Sequence, residues 1–318
     1  MQFSFRIPNA DYLGFPATPE AILTATQRAE ALGYDAVLLN DHLIMKGAPE
    51  VVASWGNVYE PLTTMAFLAG KTERIKLATS MLILPHRNPI LTAKTVATVD
   101  QFSNGRVILG VGAGWVESEF AALAMNFADR GARADEYLRV CQACWSPDPV
   151  SFTGAYYQFE DMHCSPKPVQ QPHPAIWIGG SSKAALRRAA EFATIWQPVP
   201  TPLEALLAHK ANLLAACEKI SRVKLPEIRM SFRINFSDIT GKAPSGPDGN
   251  RLTGHGSVED VAGDIRKYRD EAGLDQFQLN FNGCGSLAQL EESMTLFMEQ
   301  VSRRWRVNIA KRFHYILM

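Results

Sequence analysis

The chain has 318 residues, 47% of them hydrophobic and 9% aromatic, enough to bury one large core or two ordinary ones. Lysine plus arginine and aspartate plus glutamate each number 32, so a net charge of zero gives no electrostatic reason to expect nucleic acid or an anionic membrane as partner. A small molecule is the default ligand, and five cysteines without a disulfide-scaffold pattern suit a reducing compartment, the cytoplasm.

The opening MQFSFRIPN lacks a signal-peptide core, and no segment approaches eighteen consecutive apolar residues, so neither export nor a membrane span is expected. Residues 3–7 read as a strand, 19–32 as a helix ended by Gly33, and 34–39 as a second strand running into Asn40, Asp41 and His42. Residues 61–71 supply the next helix. From 75 to 115 the chain lays down strand, loop, helix, turn, strand and glycine-rich loop without interruption. Residues 75–84 and 106–111 are near-continuous apolar runs suited to strands buried on both faces of a parallel sheet. Between them Asn88 can cap a helix, Pro89 sits where a missing N–H costs nothing, and Ser103-Asn104-Gly105 stops it.

Helical spacing continues over 136–145, where Cys141 and Cys144 fall on one face with Tyr137, Leu138 and Trp145 and read as core thiols. No second Cys or His pair completes a zinc set, and no metal is expected. Residues 147–168 look like an inserted hairpin. Short strands follow at 175–179 and 193–197, separated by an alanine-rich helix over 182–192, and strands at 229–235 and 276–280 complete eight. Helices at 203–220, 258–272 and 287–301 fill the gaps. Strand number, order and length predict one (β/α)8 barrel over 1–318, with insertions near 147–168 and 236–256; a doubly wound open sheet is the alternative. Residues 241–256, rich in Gly, Pro, Ser and Asp, read as a mobile excursion. The tail carries cations at 303, 304, 306, 311 and 312 among apolar residues and reads as a helix docked on its own protein or on a subunit partner.

The active site of such a barrel lies at the carboxyl ends of its strands. Strand two ends in Asp41-His42, a carboxylate beside an imidazole that can move a proton near neutral pH. Strand three carries Thr79-Ser80-Met81 and leads into PHRNP, where Arg87 either holds an anionic tail or pairs with a carboxylate. Strand four ends in Gly110-Val-Gly112-Ala113-Gly114-Trp115, small residues that let a planar ligand approach the backbone. The spacing is not a dinucleotide fingerprint, and no acid follows about twenty residues on. Strand five ends in Gly179-Gly180-Ser181-Ser182 at the start of a helix, a phosphate site in outline.

The Asp-His after strand two, TSMLILPHRNP, SNGRVILGVGAGW, DPVSFTGAYYQFED, PKPVQQPHPAIWIGGSS and GSVEDV…YRDEAGLDQFQL together resemble the luciferase-like flavin and deazaflavin oxidoreductase superfamily, in its coenzyme F420-dependent branch. The resemblance covers nearly the whole chain. It implies a dimeric (β/α)8 barrel holding a tricyclic ring in its mouth. Asp41 and His42 then match cofactor-ring and acid/base positions, and Ser80-Met81 a bulge with a non-prolyl cis peptide. Ala113 and Gly114 match backbone contacts to the ring, and Gly179-Gly180 the phosphate loop. Sugar-phosphate dehydrogenases of the superfamily have a glutamate where this chain has Trp115. That aromatic, with Trp55 and Tyr59, suggests an apolar or aromatic substrate. The implied activity is hydride transfer between F420 and an organic substrate, with His42 handling the proton. An FMN-dependent monooxygenase using reduced flavin and oxygen is the alternative, and a non-catalytic flavin-binding barrel is a third reading.

Overall fold

Eight parallel strands close on themselves in the computed structural model, which describes residues 1–241, 244–246 and 248–305. They are β1 (Gln2–Arg6), β2 (Ala36–Leu39), β3 (Lys76–Thr79), β4 (Val107–Gly112), β5 (Ala175–Gly179), β6 (Ile195–Gln197), β7 (Glu227–Phe236) and β8 (Gln276–Phe281). Each pairs with the next, and Phe5 of β1 faces both Val37 of β2 and Leu279 of β8, which closes the cylinder and excludes the open sheet. Eight helices return the chain between strands and after the last: α1 (Pro19–Leu32), α2 (Pro61–Ala69), α3 (Pro89–Phe102), α4 (Arg130–Trp145), α5 (Lys183–Phe192), α6 (Leu203–Lys219), α7 (Val258–Ala272) and α8 (Leu287–Leu296).

Local chemistry sets these bounds. Thr18 caps α1 ahead of Pro19, and Gly33 ends it in the left-handed conformation; Asn88 accepts from the amides of Ile90 and Leu91; Ser257 and Asp260 form a capping box on α7. Strand alternation divides the core. Leu38, Ala78, Ile108, Trp177 and Ile195 cluster inside the cylinder, while Val37, Leu77, Val107 and Ile176 join the larger cluster under the helices.

Several elements depart from expectation. The third strand breaks after Thr79 and resumes at Leu82–Ile83, beside Val111 and Gly112. Helix α4 starts at Arg130, and short helices form at Pro49–Trp55 and Glu117–Ala122. The hairpin pairs Val150–Thr153 with Gln158–Met162, its turn held by Glu136, which accepts from the amides of Ala155, Tyr156 and Tyr157. Part of the 241–256 excursion is tied back: His255–Gly256 pairs with Asn235–Phe236, and Arg251 forks onto Asp264. In the tail, Arg304 pairs with Glu259, while residues 306, 311 and 312 lie outside the described residues. All five cysteines are unbridged and buried, and burial with nearby Cys164 pushes the Cys144 thiol up to about 12. Among the described residues no helix is long and apolar enough to cross a membrane, and no group of three His, Cys, Asp or Glu is placed to hold a metal ion.

Candidate active site

The break in the third strand is a non-prolyl cis peptide between Ser80 and Met81, and neighbouring glycines make room for it. A Cβ on Gly110 would lie 2.0 Å from the Thr79 carbonyl oxygen, and one on Gly179 2.5 Å from Met81 Cγ. Gly110 and Gly179 therefore serve the bulge first. The open backbone at the end of β4 is narrower than the glycine spacing suggests: Gly112, Ala113 and Gly114 line a cavity.

That cavity, of about 690 Å³, crosses the barrel mouth from Ser80-Met81 past Ala113, Gly114 and Trp115 to Gly179, Gly180 and Ser182. Four arginines line it, Arg6, Arg130, Arg188 and Arg233, and no carboxylate does. Arg188 is neutralised by Asp135 at 2.6 Å. Among the described residues Arg130 is not paired with an acid; it donates to the Gly114 and Phe127 carbonyls and lies 3.7 Å above the Phe127 ring. Desolvation, with the nearby Arg233, lowers the Arg6 guanidinium below its ordinary value, against the pull of Tyr12. The amide of Gln278, oriented by its hydrogen-bond network, presents its oxygen to Arg6 Nε at 3.0 Å and Nη2 at 2.8 Å. Ser80 Oγ accepts from Gln197 Nε2 at 3.0 Å.

At the phosphate-loop end, the Gly180 amide is already spent on the Gln197 carbonyl at 3.0 Å. Ser182 caps α5 by accepting from the Ala185 amide, and Ser181 Oγ is buried without a partner. The donors left for an anion at the cavity are the first amides of α5, which no helix can satisfy internally, and Arg130; Ser181 does not line it.

A smaller recess of about 280 Å³ adjoins the mouth, lined by Asp41, His42, Trp55, Met81 and Trp115. His42 stands edge-on to both indoles, 5.7 Å from Trp55 and 6.0 Å from Trp115. Its Nδ1 lies 3.1 Å from Glu119 Oε2. Glu119 is 1% exposed, and its other oxygen accepts from the Leu43 amide at 2.6 Å. Burial would raise the Glu119 carboxyl, but the His42 and Leu43 hydrogen bonds and the nearby imidazoles hold it below its usual value. A carboxylate at Nδ1 makes that nitrogen the donor and leaves Nε2 as the free proton-transfer atom. His86 packs edge-on against Phe120 at 4.4 Å, its Nδ1 3.9 Å from Glu119 Oε1 and neither ring nitrogen hydrogen-bonded among the described residues; burial lowers it to about 4, against the pull of Glu119.

Two of the residues expected at the ligand are engaged within the chain itself. Arg87 lines neither cavity: its guanidinium forks onto Asp41 at 2.7 and 2.8 Å and reaches Glu60 at 2.9 Å. Asp41 is 4% exposed and also accepts from the Ile83 amide, so its carboxylate is occupied in fixing the bulge. Burial pushes Asp41 up against the pull of Arg87, and it would lower Arg87, but the Asp41 pair and Glu60 raise Arg87. Tyr59 also lines neither cavity. Its backbone is pinned to Asn9, which anchors the loop carrying Trp55, and Trp55 stacks on Tyr12 at 5.5 Å. Glu119, Arg6, Arg130 and Arg233 were not singled out in the sequence. A buried acid two positions past Glu117 in a first helical turn looks like ordinary helix chemistry.

Residues 1–235 match the family described as luciferase-like monooxygenase. Over 132 residues the chain is 39% identical to an FMNH(2)-dependent dimethylsulfone monooxygenase of Pseudomonas putida, covering 41% of this chain and 36% of that protein. Over 171 residues it is 33% identical to an F420-dependent glucose-6-phosphate dehydrogenase of Amycolatopsis mediterranei, covering 52% and 50%. The chain thus spans half or less of the length of these curated relatives. A monooxygenase, RslO1, from Streptomyces bottropensis shares the fold with a TM-score of 0.77 at 20% identity, over 96% of this chain and 100% of that one. So does an F420-dependent secondary alcohol dehydrogenase solved with an F420-acetone adduct, with a TM-score of 0.76 at 18% identity, over 95% and 98%. The relatives divide between flavin and deazaflavin cofactors, but one family model takes in well over half of the sequence: this chain belongs to the luciferase-like monooxygenase family.

Proposed function

We propose that the large cavity holds the ring and phosphate of coenzyme F420, and that the protein is an oxidoreductase acting on a small apolar or aromatic substrate. The observation that carries this reading is the lining: arginines without a carboxylate, between a bulged strand and the start of a helix. Ser80 and Met81 would back the ring, Ala113 and Gly114 would meet its edge, and Arg130, Ser182 and the first amides of α5 would hold its phosphate. When bound, the deazaflavin supplies a carbon that gives or accepts a hydride. His42, held by Glu119 at Nδ1, takes or returns the substrate proton at Nε2. Trp55 and Trp115, edge-on to the imidazole, would offer an apolar wall to the substrate.

Titrating the purified protein with F420 and with FMN, followed by fluorescence, tests the reading. Micromolar binding of F420 supports it. Micromolar binding of FMN alone moves the assignment to an oxygen-using monooxygenase, the reading favoured by the 39% identity to an FMNH(2)-dependent relative. Tight binding of either with no reduction by any donor would leave a non-catalytic binding barrel.

A further inference from the structure

The barrel wall is split on one side. Strand β6 ends at Gln197, and β7 pairs with it only at Glu227 and Ile228 before running on to Phe236. The gap opens into a second cavity of about 400 Å³, which joins the large one where Pro200, Ser231 and Arg233 line both. Its outer wall is preformed. The segment around Leu252 to His255 packs on β7 so closely that a Cβ on Gly254 would lie 2.1 Å from the Arg233 carbonyl oxygen, and Asn235 N–H donates to the Gly254 carbonyl at 3.1 Å. Arg251 and the Gly254 amide hold that segment on Asp264.

The chemistry of this fissure is incomplete. Among the described residues Arg233 has neither a hydrogen bond nor a carboxylate within 4 Å. Ser231 is 4% exposed and His255 5%, and the Ser231 hydroxyl and His255 Nδ1 have no partner. Burying such groups unpaired is costly, so the cluster suits a guest that brings acceptors. No carboxylate lines the cavity, and Met230, Phe232 and Tyr268 supply an apolar floor. Burial and the neighbouring Arg233 and Arg251 lower the His255 imidazole, against the pull of Asp264.

We propose that the fissure between β6 and β7 binds an oxyanion, a carboxylate or sulfonate, carried on an apolar stem by the ligand of the large cavity. The proposal rests on that cavity being the cofactor and substrate site and narrows what it takes. Two sources fit: an acidic side chain of the cofactor or an anionic group of the substrate.

Calorimetric titration of the full chain and of Arg233→Met, which keeps the stem and removes the charge, separates them. The probes are benzoate, benzenesulfonate, neutral benzyl alcohol, F420 and the deazaflavin riboside lacking phosphate and tail. Loss of charge-assisted hydrogen bonds should weaken the anionic probes on the order of tenfold and leave benzyl alcohol unchanged. Weakened F420 with an unchanged riboside assigns the oxyanion to the cofactor; weakened aryl anions with unchanged F420 assign it to the substrate. Ser231→Ala, with thermal unfolding as control, should act in the same direction by a smaller factor. Absence of any Arg233-dependent binding among these probes overturns the proposal, as does an anomalous bromine peak outside the fissure after soaking with 4-bromobenzoate. Failure of the wild-type chain to bind F420 would overturn the cofactor assignment alone, since the aryl anions report on the fissure without it.

Discussion

At the amino end of the barrel, Arg229 is 2% exposed, lies 4.4 Å over Trp177 and spends its donors on Gln276, Ser4 and Gln2. Burial lowers it to about 10, against the pull of Asp35 and Glu227. At the carboxyl end, Arg130 and Arg233 have no acid partner among the described residues. The buried side-chain atoms without hydrogen-bond partners among the described residues, on His86, Ser181, Ser231 and His255, also lie at that end. The same residue types are completed by their own chain where the barrel is closed, and left for a guest where it opens. Buried polar groups at the amino end report on stability, and those that line the cavities at the carboxyl end report on binding.

The comparison can be broken most directly at Arg87, which sits at the open end yet behaves like a residue of the closed one. Arg87→Met strands the buried Asp41 carboxylate and should cost about 3–5 kcal/mol in urea denaturation, while any folded fraction keeps its phosphate affinity. A normal midpoint with weakened phosphate binding would return Arg87 to the ligand site. Next in size is a pH effect at His86. With the imidazole lowered to about 4 from 6.5, the fold requires it neutral, so stability is full above about pH 6.5 and falls as pH drops toward 4, by about 3 kcal/mol. His86→Phe should remove most of that loss between pH 7 and 4.5; an unchanged pH dependence would mean that another group governs it.

His42→Ala should slow single-turnover hydride transfer on the order of 10²-fold, with cofactor affinity nearly unchanged. An unaltered rate would remove His42 from proton transfer. The smallest expected effect separates the two ends cleanly. Arg130→Met should weaken a phosphorylated ring on the order of tenfold and leave the unphosphorylated riboside alone. Arg229→Met should cost about 1–3 kcal/mol of stability with no change in either affinity. Exchange of those two outcomes would invert the account.

Much of this was legible in order along the chain. Strands buried on both faces alternate with capped helices, and that pattern leaves few closed alternatives. The break at Ser80-Met81 was not legible from its own residues, because 75–84 reads as one apolar run; the room for it is written in Gly110 and Gly179 of the flanking strands. His42 stood out because it follows a strand, but its partner Glu119 lies 77 residues away in a short helix with no pattern to mark it. For Arg87 the sequence left an anion and a carboxylate partner both open for the same reason: its forked bond to Asp41 spans 46 residues, a separation that periodicity does not report. Side-chain pairing across loops is set by the closed barrel.

The decisive measurement is a crystal structure of the protein soaked separately in F420 and in FMN. The account predicts a flat tricyclic density between Met81 and Gly114, its phosphate against Ser182, the first amides of α5 and Arg130. A cavity left empty by both compounds, or a phosphate bound away from the start of α5, would contradict it.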